Sequence, residues 1–330
     1  MALKQPTKEQ LNDAIDKVLR AIVLGDGSFK RLVAHVLKEQ TFASSFDTRL
    51  LYCLCNFIED EEPQLKAIVI TGDLATTGVK ADLDRGLSFL EGPINPSIAI
   101  VPDTKKLILP GNHDRFVYTE EGFLYAPGGP LFDNHFKRYW DNPVMAYEPL
   151  RSGNLSVIII GADFGLQNKK HCTFPLLKLS RLAQGRVYPG ILEQLVKLTK
   201  EKTDQEQRTG YVPVVMWAVH FPPYFGYKDA GWFARRLNDV TKNLIDEKLL
   251  VRVAKKNRVQ AILAGHTHEA QRYATRKSGV EVLCAGSATQ DDPGDKQCQI
   301  IEVTLAGHQL DVNVVEDEPD MSATTFRPKR

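Results

Sequence analysis

The chain has 330 residues, 43% of them hydrophobic and 25% charged, with 18 prolines and 23 glycines. That is apolar material for one large domain or two ordinary ones. Its 42 Lys and Arg against 41 Asp and Glu give a formal net charge of +1, so it lacks the basic excess of a protein that coats nucleic acid or an anionic membrane.

In chain order, Thr7-Lys8-Glu9-Gln10 has the form of a helix-capping box. Leu11, Ala14, Ile15, Val18, Leu19 and Ile22 follow it at helical spacing. Further helices are predicted over residues 28–38 and about 47–58, so residues 1–60 read as an N-terminal helical segment of the domain. The rhythm changes at residues 66–71, a short β-branched run that predicts a strand covered on both faces. Similar runs occur at 106–109, 155–160, 212–219, 259–263 and 280–285, with helices predicted over 82–90, 190–202 and 243–256. A strand pair is predicted at 299–305 and 310–315. The alternation argues for a layered α/β domain over residues 61–315. The Gly-, Pro- and aromatic-rich stretch 125–149 reads as a long loop, and residues 316–330 as a flexible tail.

No stretch approaches the roughly 20 uninterrupted apolar residues that cross a bilayer. Met1-Ala2-Leu3-Lys4-Gln5-Pro6 turns polar without an apolar signal core. Cys53, Cys55, Cys172, Cys284 and Cys298 are odd in number and scattered. That suits reduced, buried thiols in a cytoplasmic protein better than a disulfide framework.

Four predicted strands end in a residue that can ligate a metal. They run into Gly72-Asp73, Gly111-Asn112-His113-Asp114, His220-Phe221-Pro222-Pro223 and Gly265-His266-Thr267-His268. The crevice beyond the carboxyl ends of strands is where sites form in an open α/β sheet. A glycine before three of these clusters lets the chain turn sharply and approach an ion. Carboxylate, carboxamide and imidazole together suit divalent Mn, Fe or Zn. Taken singly, Gly72-Asp73 reads as a common turn and His220 as a core or loop histidine. The Gly-Asn-His-Asp and Gly-His-Thr-His clusters are denser in polar residues than turn chemistry requires.

These motifs, spread over about residues 65 to 290, resemble the calcineurin-like metallophosphoesterase superfamily. The Gly-Asn-His-Asp cluster is similar to the branch that holds cyclic-nucleotide phosphodiesterases. The resemblance implies an α/β fold of two packed mixed β-sheets flanked by helices, a four-layer sandwich, with a two-metal centre at the strand ends. It implies that Asp73 bridges the metals, that Asn112, His220 and His266 bind one of them, and that His268 binds the other. His113 would be a non-ligating catalytic histidine oriented by the carboxylate of Asp114.

Two ions roughly 3.5–4 Å apart can share a hydroxide and aim it at phosphorus. An imidazole, which titrates near neutrality, can protonate the departing oxygen. The function implied is that of a metal-dependent phosphohydrolase cleaving a small phosphodiester or phosphomonoester through a metal-bound hydroxide. A phosphoprotein substrate is compatible with the same motifs. Arg115 is placed either to reach a phosphate oxygen or to form a salt bridge. Asp163, at another strand end, reads as structural or as a support to the ligands. The aromatic-rich stretch Pro222-Pro223-Tyr224-Phe225-Gly226-Tyr227 with Trp232-Phe233 reads as a self-packed lid or a stacking surface.

The family opens with a strand followed by Asp-x-His, and no Asp-x-His precedes Asp73 here. The nearest candidate is Asp26-Gly27-Ser28, in which Ser28 would stand where the histidine belongs. Asp26 is either a strand-end ligand or part of a helix stop. The first metal site is then incomplete. That leaves open a hydrolase with a weak second metal, a catalytically weakened binding or scaffold protein, or a chain without the family's first strand.

Overall fold

The eight-residue runs that carry β-branched and apolar side chains on both faces form the centre of the molecule. The computed structural model describes residues 53–58, 65–75, 78–91, 105–115, 130–167, 184–224, 244–267, 270–275, 279–286, 298–306, 309–320 and 325–328. Residues 53–58 are helical. The elements after them are β1 (Ile68–Ile70), α1 (Lys80–Glu91), β2 (Lys106–Ile108), a 3-10 turn (His113–Arg115), α2 (Pro130–His135), β3 (Val144–Ala146), β4 (Leu150–Ser152), β5 (Leu155–Ala162) and β6 (Gly185–Arg186). They continue with α3 (Pro189–Arg208), β7 (Val212–Val219), β8 (Leu244–Ile245), α4 (Glu247–Lys256), β9 (Ala261–Ala264), β10 (Gln271–Ala274), β11 (Glu281–Cys284), β12 (Cys298–Ala306), β13 (Gln309–Asp320) and β14 (Thr325–Pro328).

A seven-stranded sheet runs in the order β10-β11-β9-β7-β5-β3, with β4 also paired to β5. Its centre is parallel, β5 to β7 to β9 to β11, and antiparallel strands close both edges. A parallel centre needs cover on both faces, and the period-two alternation of strand side chains supplies two cores. Ile158, Ile160, Val215, Trp217 and Val219 face α3 and α4, packing with Leu192, Leu195, Leu250 and Ala254. Leu155, Ile159, Val214, Met216 and Ala218 join the other core, with Leu107 and Leu109 from the β2 region, Leu83 and Leu90 of α1, and Ile301 and Val303 of β12 at its margin. The parallel pair β1–β2 thus faces the large sheet, and the result is a mixed α/β fold of several sheets flanked by helices.

Helix α3 begins with a proline in its first turn, where a missing N–H costs nothing. It buries Ile191, Leu192, Leu195 and Thr199 at three-four spacing. The Thr199 hydroxyl accepts the indole N–H of Trp217 at 2.9 Å, tying helix to sheet. At its other end the fully buried Glu206 accepts two bonds from Arg151, at 2.7 and 2.8 Å, and one from the Ser156 hydroxyl at 2.7 Å.

Two stretches differ from expectation. Residues 125–149 were expected to be loop, yet α2 and β3 lie there. Phe132, Phe136 and Trp140, each four residues apart, are fully buried in the core shared with α1 and β2. Neighbouring glycines and prolines masked that helical spacing. The tail expected from residue 316 is also corrected. Strand β13 continues to Asp320, and β14 pairs with it, with Asp317 opposite Pro328 and Pro319 opposite Phe326. Backbone groups form such a ladder without needing apolar side chains. The predicted helices before residue 53 lie outside the described residues, and so does the aromatic-rich stretch beyond Tyr224.

Candidate metal centre

Each candidate ligand sits just past a strand, on a turn built for close approach. Gly72 has φ +112° and Asp73 φ 58°, a left-handed turn that brings the chain back under the sheet. A Cβ on Gly72 would lie 2.5 Å from His220 Nδ1, and one on Gly111 would lie 2.1 Å from Asp73 Oδ1. Both glycines are therefore required by the space the ligands fill. His266 also takes a left-handed conformation, φ 73°, which for a side chain of this size is uncommon and marks local strain.

These turns bring donor atoms from four strand ends to one point. Ligand atoms of Asp73, His220 and His266 all lie within 4.8 Å of one another. Asn112 Oδ1 stands 2.8 Å from His220 Nε2 and 2.9 Å from His266 Nδ1. His220 Nε2 is 3.2 Å from His266 Nδ1 and 3.4 Å from Asp73 Oδ2.

The other ring nitrogen of His220, Nδ1, donates to the Thr71 carbonyl at 2.7 Å, which leaves Nε2 with its lone pair turned into the cluster. A carboxylate oxygen, an amide oxygen and an imidazole nitrogen thus face one another as electron-pair donors. A divalent cation reconciles such a set, and these residues fit one.

The second carboxylate of the region does different work from the one expected. Asp114 is buried, and its oxygens accept the backbone N–H groups of Ala75 at 2.8 Å, Gly111 at 2.8 Å and Asp73 at 2.9 Å. It therefore stitches the β1 turn to the β2 turn, and its bonds go to backbone rather than to the His113 ring. Burial and then the neighbouring Asp73 carboxylate push its carboxyl up to about 7, against the pull of those amides. His113 is half-buried on the 3-10 turn, and its backbone N–H donates to Asp73 Oδ1 at 2.9 Å.

Arg115 is buried, with ion pairs to Asp163 at 2.7 Å and Asp133 at 3.0 Å. Of the two placements the sequence allowed, the structure has the salt bridge. Burial opposes its charge, but Asp163 and Asp133 outweigh that and raise its pKa.

Asp73, Asn112, His220 and His266 are brought together, with His113 and Asp114 on the adjoining turn. His268 and Asp26 lie outside the described residues. Sequence reasoning missed the Thr71 carbonyl, which carries no side-chain signal. It also missed Asp133, hidden in the stretch read as loop.

A layered α/β protein whose strand ends bring carboxylate, carboxamide and imidazole to one point carries a candidate metal centre at the carboxyl ends of its sheets. More particularly, the chain belongs to the calcineurin-like phosphoesterase family, whose family model matches residues 27–270. No curated protein matches the sequence. Among solved structures it is similar to GAP50, the anchor in the inner membrane complex of Plasmodium, at 12% identity and a TM-score of 0.39, over 83% of this chain and 77% of that one. It is also similar to TT1561 of Thermus thermophilus, at 12% identity and a TM-score of 0.37, over 81% of this chain and 93% of that one. Among the described residues no helix is long and apolar enough to cross a membrane.

Proposed function

We propose that the protein is a metal-dependent phosphohydrolase acting on a small phosphodiester or phosphomonoester. The observation that carries this is the facing set of Asp73, Asn112, His220 and His266 at four strand ends. Family membership supports it, because calcineurin-like phosphoesterases are in general hydrolytic.

In this reading Asp73, Asn112, His220 and His266 would hold one divalent ion, and His268 would serve a second. Manganese, iron and zinc all suit the donors. A bound divalent ion supplies Lewis-acid charge for the phosphoryl group and acidity for an attacking water. The Thr71 carbonyl holds the His220 ring in its ligating tautomer. His113 donates a proton to the departing oxygen, from a turn anchored to Asp73. Asp114 keeps both ligand turns at their spacing. The balanced net charge favours a small substrate over long nucleic acid. Buried thiols at Cys53, Cys55 and Cys284 suit a reducing compartment such as the cytoplasm.

Turnover of bis(p-nitrophenyl) phosphate and of p-nitrophenyl phosphate with added manganese tests the proposal. Wild type is expected to hydrolyse at least one of them, and Asp73→Asn and His113→Ala to lose that activity. Activity untouched by both substitutions would sink the assignment.

One observation favours a second reading, a catalytically weakened family member that serves as a binding or scaffold protein: no Asp-x-His precedes Asp73. Metal content separates the two. About two equivalents per chain together with turnover supports the hydrolase, whereas no bound metal and no turnover supports the scaffold.

A further inference from the structure

The candidate ligands are divided between two sheets. Asp73 and Asn112 follow β1 and β2, whereas His220 and His266 follow β7 and β9 of the seven-stranded sheet. Their donor atoms meet at 2.8–3.4 Å only while the two sheets keep a fixed separation at their carboxyl ends.

Beyond the ligands, a charged contact crosses that same gap. Arg115 closes the turn that begins at His113, and its Nη2 donates to Asp163 Oδ2 at 2.7 Å. Asp163 is the residue after β5, in the large sheet, and its Oδ1 also accepts the Gly165 N–H at 2.8 Å. Arg115 reaches Asp133 of α2 as well, Nη2 to Oδ1 at 3.0 Å and Nη1 to Oδ2 at 3.3 Å. The guanidinium lies 5.6 Å from the Phe132 ring centroid, and the residue is 8% exposed. A guanidinium engaged by two carboxylates at that depth is not presented to a substrate phosphate.

We propose that the Arg115–Asp163 pair is a positioning clamp that sets the spacing between the two halves of the metal-ligand set. Arg115 then acts through Asn112 and His113, its neighbours on the turn, and not on substrate. Removing Arg115 leaves the Asp163 carboxylate without its cation, and removing Asp163 leaves the guanidinium held by Asp133 of α2 alone, so in either case the turn loses its tie to the large sheet and shifts. A displacement of about 1 Å is enough to cost a catalytic site on the order of a hundredfold in rate. The clamp rests on the metal-site reading above.

Cobalt(II) titration of the full chain, followed through its visible d–d bands, tests the clamp. Arg115→Gln and Asp163→Asn are expected to weaken Co2+ about tenfold or more and to change the bands. The double variant is expected to be no weaker than either single one, because the pair acts as a unit. Arg115→Lys, which keeps the charge but loses the fork, serves where the glutamine variant does not fold. Tyr147→Phe removes another bond between the sheets, from the Tyr147 hydroxyl to the Ile108 carbonyl at 2.8 Å, and is expected to lower Tm while leaving the bands unchanged.

Wild-type Co2+ affinity and bands in folded Arg115 and Asp163 variants overturn the clamp, and so does an equal change in Tyr147→Phe. A wild type that takes up no Co2+ refutes the metal reading separately. Amide exchange of the metal-free protein then decides the clamp. Faster exchange at the Gly111 and His113 N–H groups in Asp163→Asn, but not in Tyr147→Phe, supports it, and unchanged exchange overturns it.

Discussion

The Nδ1–H of His220 donates to the carbonyl of Thr71 across 2.7 Å, so a backbone atom beside β1 sets the tautomer of a ligand that follows β7. Thr71 also lies close against Gly265, because a Cβ on Gly265 would lie 2.6 Å from the Thr71 hydroxyl and 3.5 Å from its Cβ. Gly265→Ala is therefore expected to push Thr71 aside, tilt the His220 ring and weaken Mn2+ roughly tenfold to a hundredfold. Calorimetric titration measures this. Thr71→Ala in the Gly265→Ala background relieves the crowding and is expected to restore affinity; a double variant as weak as Gly265→Ala would show that the ring is not held from Thr71.

His113 and His220 are expected to separate binding from chemistry. His220 faces the donor cluster and His113 stands on the turn beside it. His220→Gln should lose most Mn2+ affinity. His113→Gln should keep it and lower kcat by about a hundredfold to ten-thousandfold with little change in KM. Titration and steady-state kinetics on the same preparations give both quantities. Loss of Mn2+ affinity in His113→Gln would make that residue a ligand.

Much of this arrangement was legible because each part has a local cause. Strands β5 and β7 are unbroken apolar runs, α3 shows three-four spacing, and Asp73, Asn112, His220 and His266 each stand one or a few residues beyond a strand. Other parts have no local cause. Asp114 reads as the neighbour of His113, but its partners are the backbone amides of Asp73, Ala75 and Gly111, and no residue identity encodes an amide. The aromatic spacing of Phe132, Phe136 and Trp140 was present in the sequence but surrounded by the composition of a loop. The end of β13 beyond Val315 and strand β14 pair through a backbone ladder, and the acidic run Glu316-Asp317-Glu318 offers no hydrophobic period to find.

Asp114 makes the metal-free protein respond to pH. Its carboxyl stands at about 7 in the fold against an ordinary aspartate value of 3.8, so the folded state holds a proton that the unfolded state releases across that window. Its contribution is therefore greatest at the acid end and is lost as pH rises towards 7. Asp114→Asn cannot take up that proton, so its urea midpoint should lose this slope between pH 5 and pH 8. An amide also offers one acceptor oxygen to three backbone N–H groups, which costs about 1–3 kcal/mol. A slope unchanged by the substitution would assign the pH response to another group.

Glu206 gives the opposite sign and a lower window. The bonds from Arg151 hold its carboxyl below the ordinary glutamate value of 4.5, with burial opposing and the Ser156 hydroxyl assisting. A depressed value in the fold means that its contribution is complete above the unfolded value and is lost as pH falls through the folded one. Glu206→Gln keeps the shape but surrenders charge-assisted bonds, and should cost about 1–3 kcal/mol at pH 7. As pH falls through the lowered folded value the difference between wild type and variant should shrink, because the wild-type carboxyl is then protonated as well. Denaturation midpoints followed from pH 7 down to well below the ordinary glutamate value of 4.5 measure both ends. Since α3 covers the face of the large sheet opposite β1 and β2, Mn2+ affinity at pH 7 should be unchanged in Glu206→Gln. A weakened site in that variant would mean that the two cores are coupled through β5 and β7.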